Sequence, residues 1–246
     1  MVLESGSDMI ILDAGSGLIE LDAQLRTIFP EYPNKLPFQP NLLLSHLHLD
    51  HILGLIWFSP IWNEDNNMRI FSSSRDGRPL KEQVFGTFVP PYWPVDVAKF
   101  SQVQCHEITG PFKIGSLTIT PFAANHPDNT LSFHITDGQK TLVYSLDNEM
   151  PENCDKAALP LTKYCQDADL VIFDASYLQA DYQQKRGWGH STVQDGLKLA
   201  AASGCKRLMF AHYGHEYSDK DLDSLQELIT DHERFIFAHE GMEIEI

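Results

Sequence analysis

Basic residues are scarce in this chain: 18 lysines and arginines stand against 34 aspartates and glutamates, giving a formal charge of −16 over 246 residues. That balance argues against the broad phosphate-tracking surface of a nucleic-acid binder, which needs lysine and arginine to displace counterions. A small anionic substrate is not excluded, because a bound divalent cation makes its pocket locally positive. Cysteine is also sparse. Cys105, Cys154, Cys165 and Cys205 lie far apart with no CxxC pair, which argues against a stapled secreted scaffold and for reduced thiols in a cytoplasmic protein. Long apolar runs are missing as well. The opening Met1-Val2-Leu3-Glu4-Ser5-Gly6-Ser7-Asp8 has neither the basic region nor the apolar stretch of a secretory leader, and no segment approaches a membrane span. The turn Asp13-Ala14-Gly15-Ser16-Gly17 is rich in glycine but lacks the spacing of a dinucleotide fingerprint.

What remains is an ordinary globular composition, 43% hydrophobic and 21% charged, in a chain long enough for one substantial core. Strands are expected at Met9–Leu12, Asn41–Ser45, Met68–Phe71, Ser116–Phe122, Leu131–Ile135, Thr141–Leu146, Leu170–Phe173 and Lys206–Ala211. Helical periodicity spans Leu18 to Phe29, with Leu18, Leu21, Leu25 and Ile28 on one face and Pro30 ending it. Further helices are expected from near His51 and over Lys156–Gln166. Another follows Ser191, with Gln194 completing a capping box and Val193, Leu197, Ala200 and Ala201 turned inward. A last one follows Ser218 and Asp221, with Leu222, Leu225, Leu228 and Ile229 turned inward. Pro90-Pro91-Tyr92-Trp93-Pro94 is too rich in proline for a regular element, and reads as a substrate rim, a dimer contact or a cover for core. No repeat or linker interrupts the chain, so a single α/β domain over 1–246 is expected.

One stretch carries chemistry. Ser45-His46-Leu47-His48-Leu49-Asp50-His51 packs three imidazoles and a carboxylate into HxHxDH after an apolar strand. Histidine is rare and is the commonest neutral nitrogen ligand. On an extended turn, His46 and His48 can grip one ion, while Asp50 and His51, where a helix begins, can grip a second. Each hydrolytic zinc takes about three protein ligands plus water, and two adjacent ions need a bridging anion. Three more ligand-type residues stand at strand ends downstream: His126, Asp147 and His212.

This order of residues, from the Asp13-Ala14-Gly15 turn to His239-Glu240-Gly241-Met242-Glu243, resembles the metallo-β-lactamase-fold hydrolases. The resemblance implies an αββα sandwich of two mixed β-sheets with helices on the outer faces. It implies two divalent ions, zinc first with manganese or iron as alternatives. His46, His48 and His126 would hold one ion, Asp50, His51 and His212 the other, and Asp147 would bridge them. Asp13 would brace the metal loops without being a ligand. Members usually carry a further glycine-rich strand ahead of the one read at Met9, and whether this chain has its counterpart is left open by the sequence.

Phe173-Asp174-Ala175-Ser176-Tyr177 and Trp188-Gly189-His190-Ser191-Thr192 are similar to motifs of ribonuclease Z and small phosphodiesterases, in which the acid orients the histidine. His190 stands just before a helix start, where backbone N–H groups favour an anion such as a phosphoryl oxygen. A carboxylate at Asp174 would keep it protonated as a general acid. The expected reaction is attack by a hydroxide held between the ions on a small phosphodiester such as a cyclic nucleotide. Asp50 would assist in orienting the nucleophile and His190 would protonate the leaving oxygen. Lactone or thioester hydrolysis on the same ions is the alternative, with ribonuclease Z-like cleavage of structured RNA disfavoured by the charge. Lys185 and Arg186 are candidates to reach a phosphate, and His215 to approach the second metal. His106, His134, His232 and His239 fit no ligand position. A homodimer rests on the resemblance alone.

Overall fold

The computed structural model describes residues 1–6, 8–34, 38–96, 101–152, 159–227 and 229–246. They form two compact units, Met1–Leu117 and Thr118–Ile246, taken here in turn.

In the first unit, strands β1 (Val2–Ser5), β2 (Asp8–Leu12), β3 (Asn41–Leu43), β4 (Arg69–Ser72) and β5 (Gln104–Glu107) form one sheet in that order. β1 runs antiparallel to β2 and the other pairs are parallel. A short strand without glycine therefore precedes the one read at Met9. Val2-Leu3-Glu4-Ser5 is too short and mixed to announce itself. β3 is buried along its whole length, and the side chain of Asn41 supplies the polar closure there. Its Nδ2 donates to Met9 O and Gln39 O, and its Oδ1 accepts from Arg69 Nε. Helix α1 (Gly17–Ile28) buries Leu18 and Leu25 and half-buries Leu21, whereas Ile28 is exposed and not part of the inward face. The same helix buries Asp22, which accepts from Ser59 N, Ser59 Oγ, Arg26 Nε and the Tyr32 hydroxyl. Helix α2 (Leu49–Ile52) runs into 3-10 turns, and α3 (Leu80–Phe85) and β6 (Phe112–Ile114) complete the unit. Trp93 of the proline-rich stretch packs on the first core and lies 5.5 Å from Trp57, so it covers core, while Tyr92 stays exposed. Residues 97–100, beyond that stretch, fall outside the described ones.

The second unit is built on strands β7 (Leu117–Ala123), β8 (Leu131–Thr136), β9 (Thr141–Ser145), β10 (Leu170–Asp174), β11 (Arg207–Ala211) and β12 (Phe235–Phe237). They lie in the order β12-β11-β10-β9-β8-β7. β7, β8 and β9 are antiparallel neighbours, and β9 through β12 are parallel. Every residue of β10 is buried, as expected of a strand inside a covered parallel sheet. Helices α4 (Pro160–Tyr164), α5 (Tyr182–Lys185), α6 (Val193–Ser203) and α7 (Asp219–Gln226) alternate with the strands. Residues 153–158, in front of α4, are not described, and part of the helix expected at Lys156–Gln166 falls there.

α6 corrects two expectations. Its cap is Thr192, whose Oγ1 accepts from Asp195 N, because the Ser191 hydroxyl is already spent on Asn148 O. Its buried face is Val193, Gly196, Leu199 and Ala200, with Ala201 exposed. Gly196 sets that choice: a Cβ there would stand 2.5 Å from Phe210 and 2.9 Å from Phe173, so the helix lies against the sheet at its glycine. α7 carries the expected Ser218–Asp221 capping box, with Leu222 and Leu225 half-buried, Ile229 buried beyond it, and Leu228 outside the described residues.

Candidate metal centre

In the first unit the donors follow β3 directly. Asp13, just past β2, has φ +56°, a backbone region that turns its carboxylate back under the neighbouring strand end. Its Oδ1 accepts from Ser45 N at 2.7 Å and its Oδ2 from Ser45 Oγ at 2.9 Å. His51 Nδ1 lies 2.8 Å from the same Oδ2. A carboxylate in that position accepts a hydrogen bond from Nδ1–H and leaves Nε2 as the metal-facing nitrogen. His51 Nε2 lies 3.4 Å from Asp50 Oδ2, and the His46 ring is 4.3 Å from both the His48 and His51 rings. The glycine-rich turn supports this loop from behind. Ala14 N donates to His51 O, and a Cβ on Gly15 would stand 2.3 Å from Asp50 O.

The second unit offers its own set at the ends of β7, β9, β10 and β11. Asp147 and His212 both have left-handed backbone, φ +50° and +61°. Asp147 is buried, with Oδ2 3.6 Å from His126 Nε2 and Oδ1 3.4 Å from His212 Nε2. The far nitrogens are held: His212 Nδ1 faces Ser176 Oγ at 3.0 Å and His126 Nδ1 faces Thr130 Oγ1 at 3.0 Å. Because the Ser176 hydroxyl donates to His212 O, its lone pairs are left to accept the His212 Nδ1 proton.

These spacings fit a metal. Two donors on one tetrahedral zinc, each about 2.0–2.1 Å from it, stand about 3.4 Å apart. Imidazole nitrogens and carboxylate oxygens suit divalent zinc, manganese or iron. The two oxygens of Asp147 face different imidazoles, as a bridging carboxylate requires.

Asp174 is a hydrogen-bond hub. Its Oδ1 accepts from Ser176 N and Ser191 N, and its Oδ2 from Asp147 N and the ring of His190 at 2.8 Å. His190 Nε2 is 4.0 Å from Asp147 Oδ2. Burial alone would lower the His190 pKa, but the hydrogen bond and charge of Asp174, with Asp147 behind it, outweigh that and raise it.

Other expectations change. Ser191 N ahead of α6 and Asp195 N in its first turn serve the protein's own groups, Asp174 and the Thr192 hydroxyl, in place of a phosphoryl oxygen. Lys185 is ion-paired with Glu216 and Arg186 with Glu152. His215 is fully exposed, its ring 3.7 Å from Glu216. Sequence reading missed Glu149, which is buried and accepts from Gly187 N, Gly189 N and the Tyr182 hydroxyl. It also gave no role to Ser45 and Ser176, which stand within the quoted motifs, or to Thr130. A cavity of about 540 Å³ beside His126 is lined in part by Asn125, Glu149, Tyr182 and Arg186.

Residues 9–213 match the family described as the beta-lactamase superfamily domain, and the chain belongs to it as a metallo-hydrolase of the metallo-β-lactamase fold. Among its relatives is a probable metallo-hydrolase, YhfI of Bacillus subtilis, 25% identical over 222 residues, which covers 87% of this chain and 79% of that protein. The ribonuclease Z of Bradyrhizobium diazoefficiens is 21% identical, with 90% of this chain and 85% of that protein covered. Of solved structures, one described as a new diphosphatase from the PhnP family superposes with a TM-score of 0.70 at 15% identity, over 100% of this chain and 83% of that one. Among the described residues, no helix is long and apolar enough to cross a membrane.

Proposed function

We propose that the protein hydrolyses a small phosphodiester, with a cyclic nucleotide as the first candidate, on two divalent ions with zinc as the first choice. The ligands are His46, His48, Asp50, His51, His126, Asp147 and His212, in the roles that the family resemblance gives them. Bound ions supply an activated water and neutralise charge on the phosphoryl oxygens. Asp50, whose side chain is exposed, would orient that water. Asp174 accepts a hydrogen bond from His190 Nδ1 and fixes the ring, which leaves the Nε2 proton for the leaving oxygen. An alkoxide leaves poorly, and His190 gives up that proton as the P–O bond breaks. General-acid help of this kind contributes about 10²–10⁴-fold.

The observation that carries the reading is the 2.8 Å His190–Asp174 contact beside a buried Asp147, with the imidazole pKa raised. Ester or lactone hydrolysis does not need such an acid. Support also comes from relatives named ribonuclease Z and from a diphosphatase neighbour. The test compares a cyclic nucleotide, a lactone and a thioester on zinc- or manganese-loaded wild type and His190→Ala. Phosphodiester turnover that falls by about two orders of magnitude or more in the variant is expected. Turnover of the lactone or thioester alone, indifferent to His190, overturns the reading.

A further inference from the structure

We infer that Glu149 is a positioning residue for the acid: its buried carboxylate clamps the Gly187-Trp188-Gly189 turn and thereby sets where His190 stands. The inference rests on the acid role of His190 given above. Gly187 N lies 2.9 and 3.0 Å from the two carboxylate oxygens, Gly189 N lies 3.0 Å from Oε2, and the Tyr182 hydroxyl donates to Oε1 at 2.8 Å. Both glycines have positive φ, +85° and +95°. Gly187 N and Gly189 N converge on one point and make a two-amide nest for an anion, while Trp188 N between them donates to Lys185 O. A nest of this kind next to a phosphoryl-transfer site is an obvious phosphate cradle. Here the protein's own carboxylate fills it.

The clamp has little freedom on either side. A Cβ on Gly189 would stand 2.1 Å from the His126 ring, so the turn lies directly against that imidazole. Glu149 is itself anchored: its N donates to Asn125 O, and its carbonyl accepts from Asn125 Nδ2. On the other side of the turn, Ser191 N is fixed to Asp174 and Ser191 Oγ to Asn148 O. His190 is thus held at both ends of its backbone, by Glu149 through Gly189 and by Asp174 through Ser191. Asp174 aims the ring, and Glu149 sets the height from which it is aimed. With the carboxylate gone, the two glycines are free to relax, and the ring moves off the line to the leaving oxygen. A displacement of about 1 Å can cost on the order of 10²-fold in rate.

A misplaced acid has a signature that general damage to the fold lacks. Loss of protonation hurts esters of weakly acidic alcohols and spares esters of p-nitrophenol, whose anion leaves unaided. The experiment measures kcat per bound metal for methyl aryl phosphodiesters with leaving groups from p-nitrophenol to phenol. Wild type is compared with His190→Ala, Glu149→Ala, Glu149→Gln and Tyr182→Phe. Glu149→Ala is expected to lower the phenyl-to-p-nitrophenyl rate ratio by about 10–100-fold, approaching His190→Ala. Glu149→Gln, which keeps one acceptor oxygen, should recover part of the ratio. If Glu149→Ala does not fold, Glu149→Gln and Tyr182→Phe carry the same ratio test. A ratio unchanged in every Glu149 variant while His190→Ala shifts it overturns the positioning role and leaves the acid intact. A ratio that does not move in His190→Ala overturns the acid role, and this inference with it.

Discussion

Asp13, Asp147 and His212 all sit just past a strand with positive φ, a conformation that costs a residue other than glycine about 1–3 kcal/mol. Each uses the reversal to turn its side chain back beneath the sheet end. At Asp147 the backbone N–H is fixed to Asp174 at the same time. Asparagine tolerates this backbone and keeps the shape, so Asp147→Asn isolates the charge. It also removes one of two buried carboxylates that stand close together. Metal-free Asp147→Asn is expected to melt at or above the metal-free wild type, by about 2–4 °C for each kcal/mol of relieved repulsion, while metal analysis shows the ions lost. A variant that keeps its full metal content would sink the bridging role. Asp13→Ala removes the acceptor of His51 Nδ1 and both contacts to Ser45. Metal affinity should fall about 10–100-fold in a chelator competition. Unchanged affinity would show that the His51 ring is fixed by other means.

At the scale of elements, strand ends deliver the chemistry, and the pairs that lock those strands decide how the site survives acid. Asp169, just before β10, accepts from Thr141 N at the start of β9 and from Lys206 Nζ before β11, with Lys140 3.6 Å away. The Lys206 hydrogen bond leads in holding the Asp169 carboxyl below the usual carboxylate range. A depressed carboxylate stabilises the fold fully above its unfolded pKa, near 3.9, and loses that contribution as pH falls through its folded value. Asp169→Asn should therefore flatten the acid limb of the stability curve below about pH 4 and lower the plateau above it. Lys206 is largely exposed, so the plateau change should stay within about 1 kcal/mol. Parallel acid limbs in urea melts of the two proteins would assign the acid sensitivity elsewhere.

The same scale shows what the sequence made legible. Buried parallel strands read directly, because an apolar run such as Leu170–Phe173 or Leu208–Ala211 has few other uses. The HxHxDH stretch stands out as well, since it concentrates rare residues. Glu149 did not, because a buried acid that accepts backbone amides looks like any acid until the chain folds over it. The faces of α1 and α6 were shifted by packing that periodicity cannot see, Gly196 against Phe173 and Phe210 being the case in point. Short edge elements such as Val2–Ser5, Gln104–Glu107 and Phe235–Phe237 take their shape from their neighbours more than from their own residues.

For the whole molecule, the charge of −16 bears on the proposed preference for a small phosphodiester over a polyanion. A protein that grips RNA gains affinity by displacing counterions with lysine and arginine, and each phosphate contact steepens the salt dependence by about 0.7–0.9 in log–log slope. Here two of the basic residues beside the candidate site, Lys185 and Arg186, are already paired with Glu216 and Glu152. Repulsion by the remaining acidic surface acts on a polyanion along its full length. On a small diester it acts over about a Debye length, roughly 10 Å at 0.1 M salt, within which the bound ions dominate. The KM for a cyclic nucleotide should thus change little between low and moderate salt, and excess transfer RNA should compete poorly. Processing of a precursor transfer RNA at rates rivalling the small diester, with a steep loss on added salt, would show instead that a local basic track overrides the net charge, and would move the substrate assignment to structured RNA.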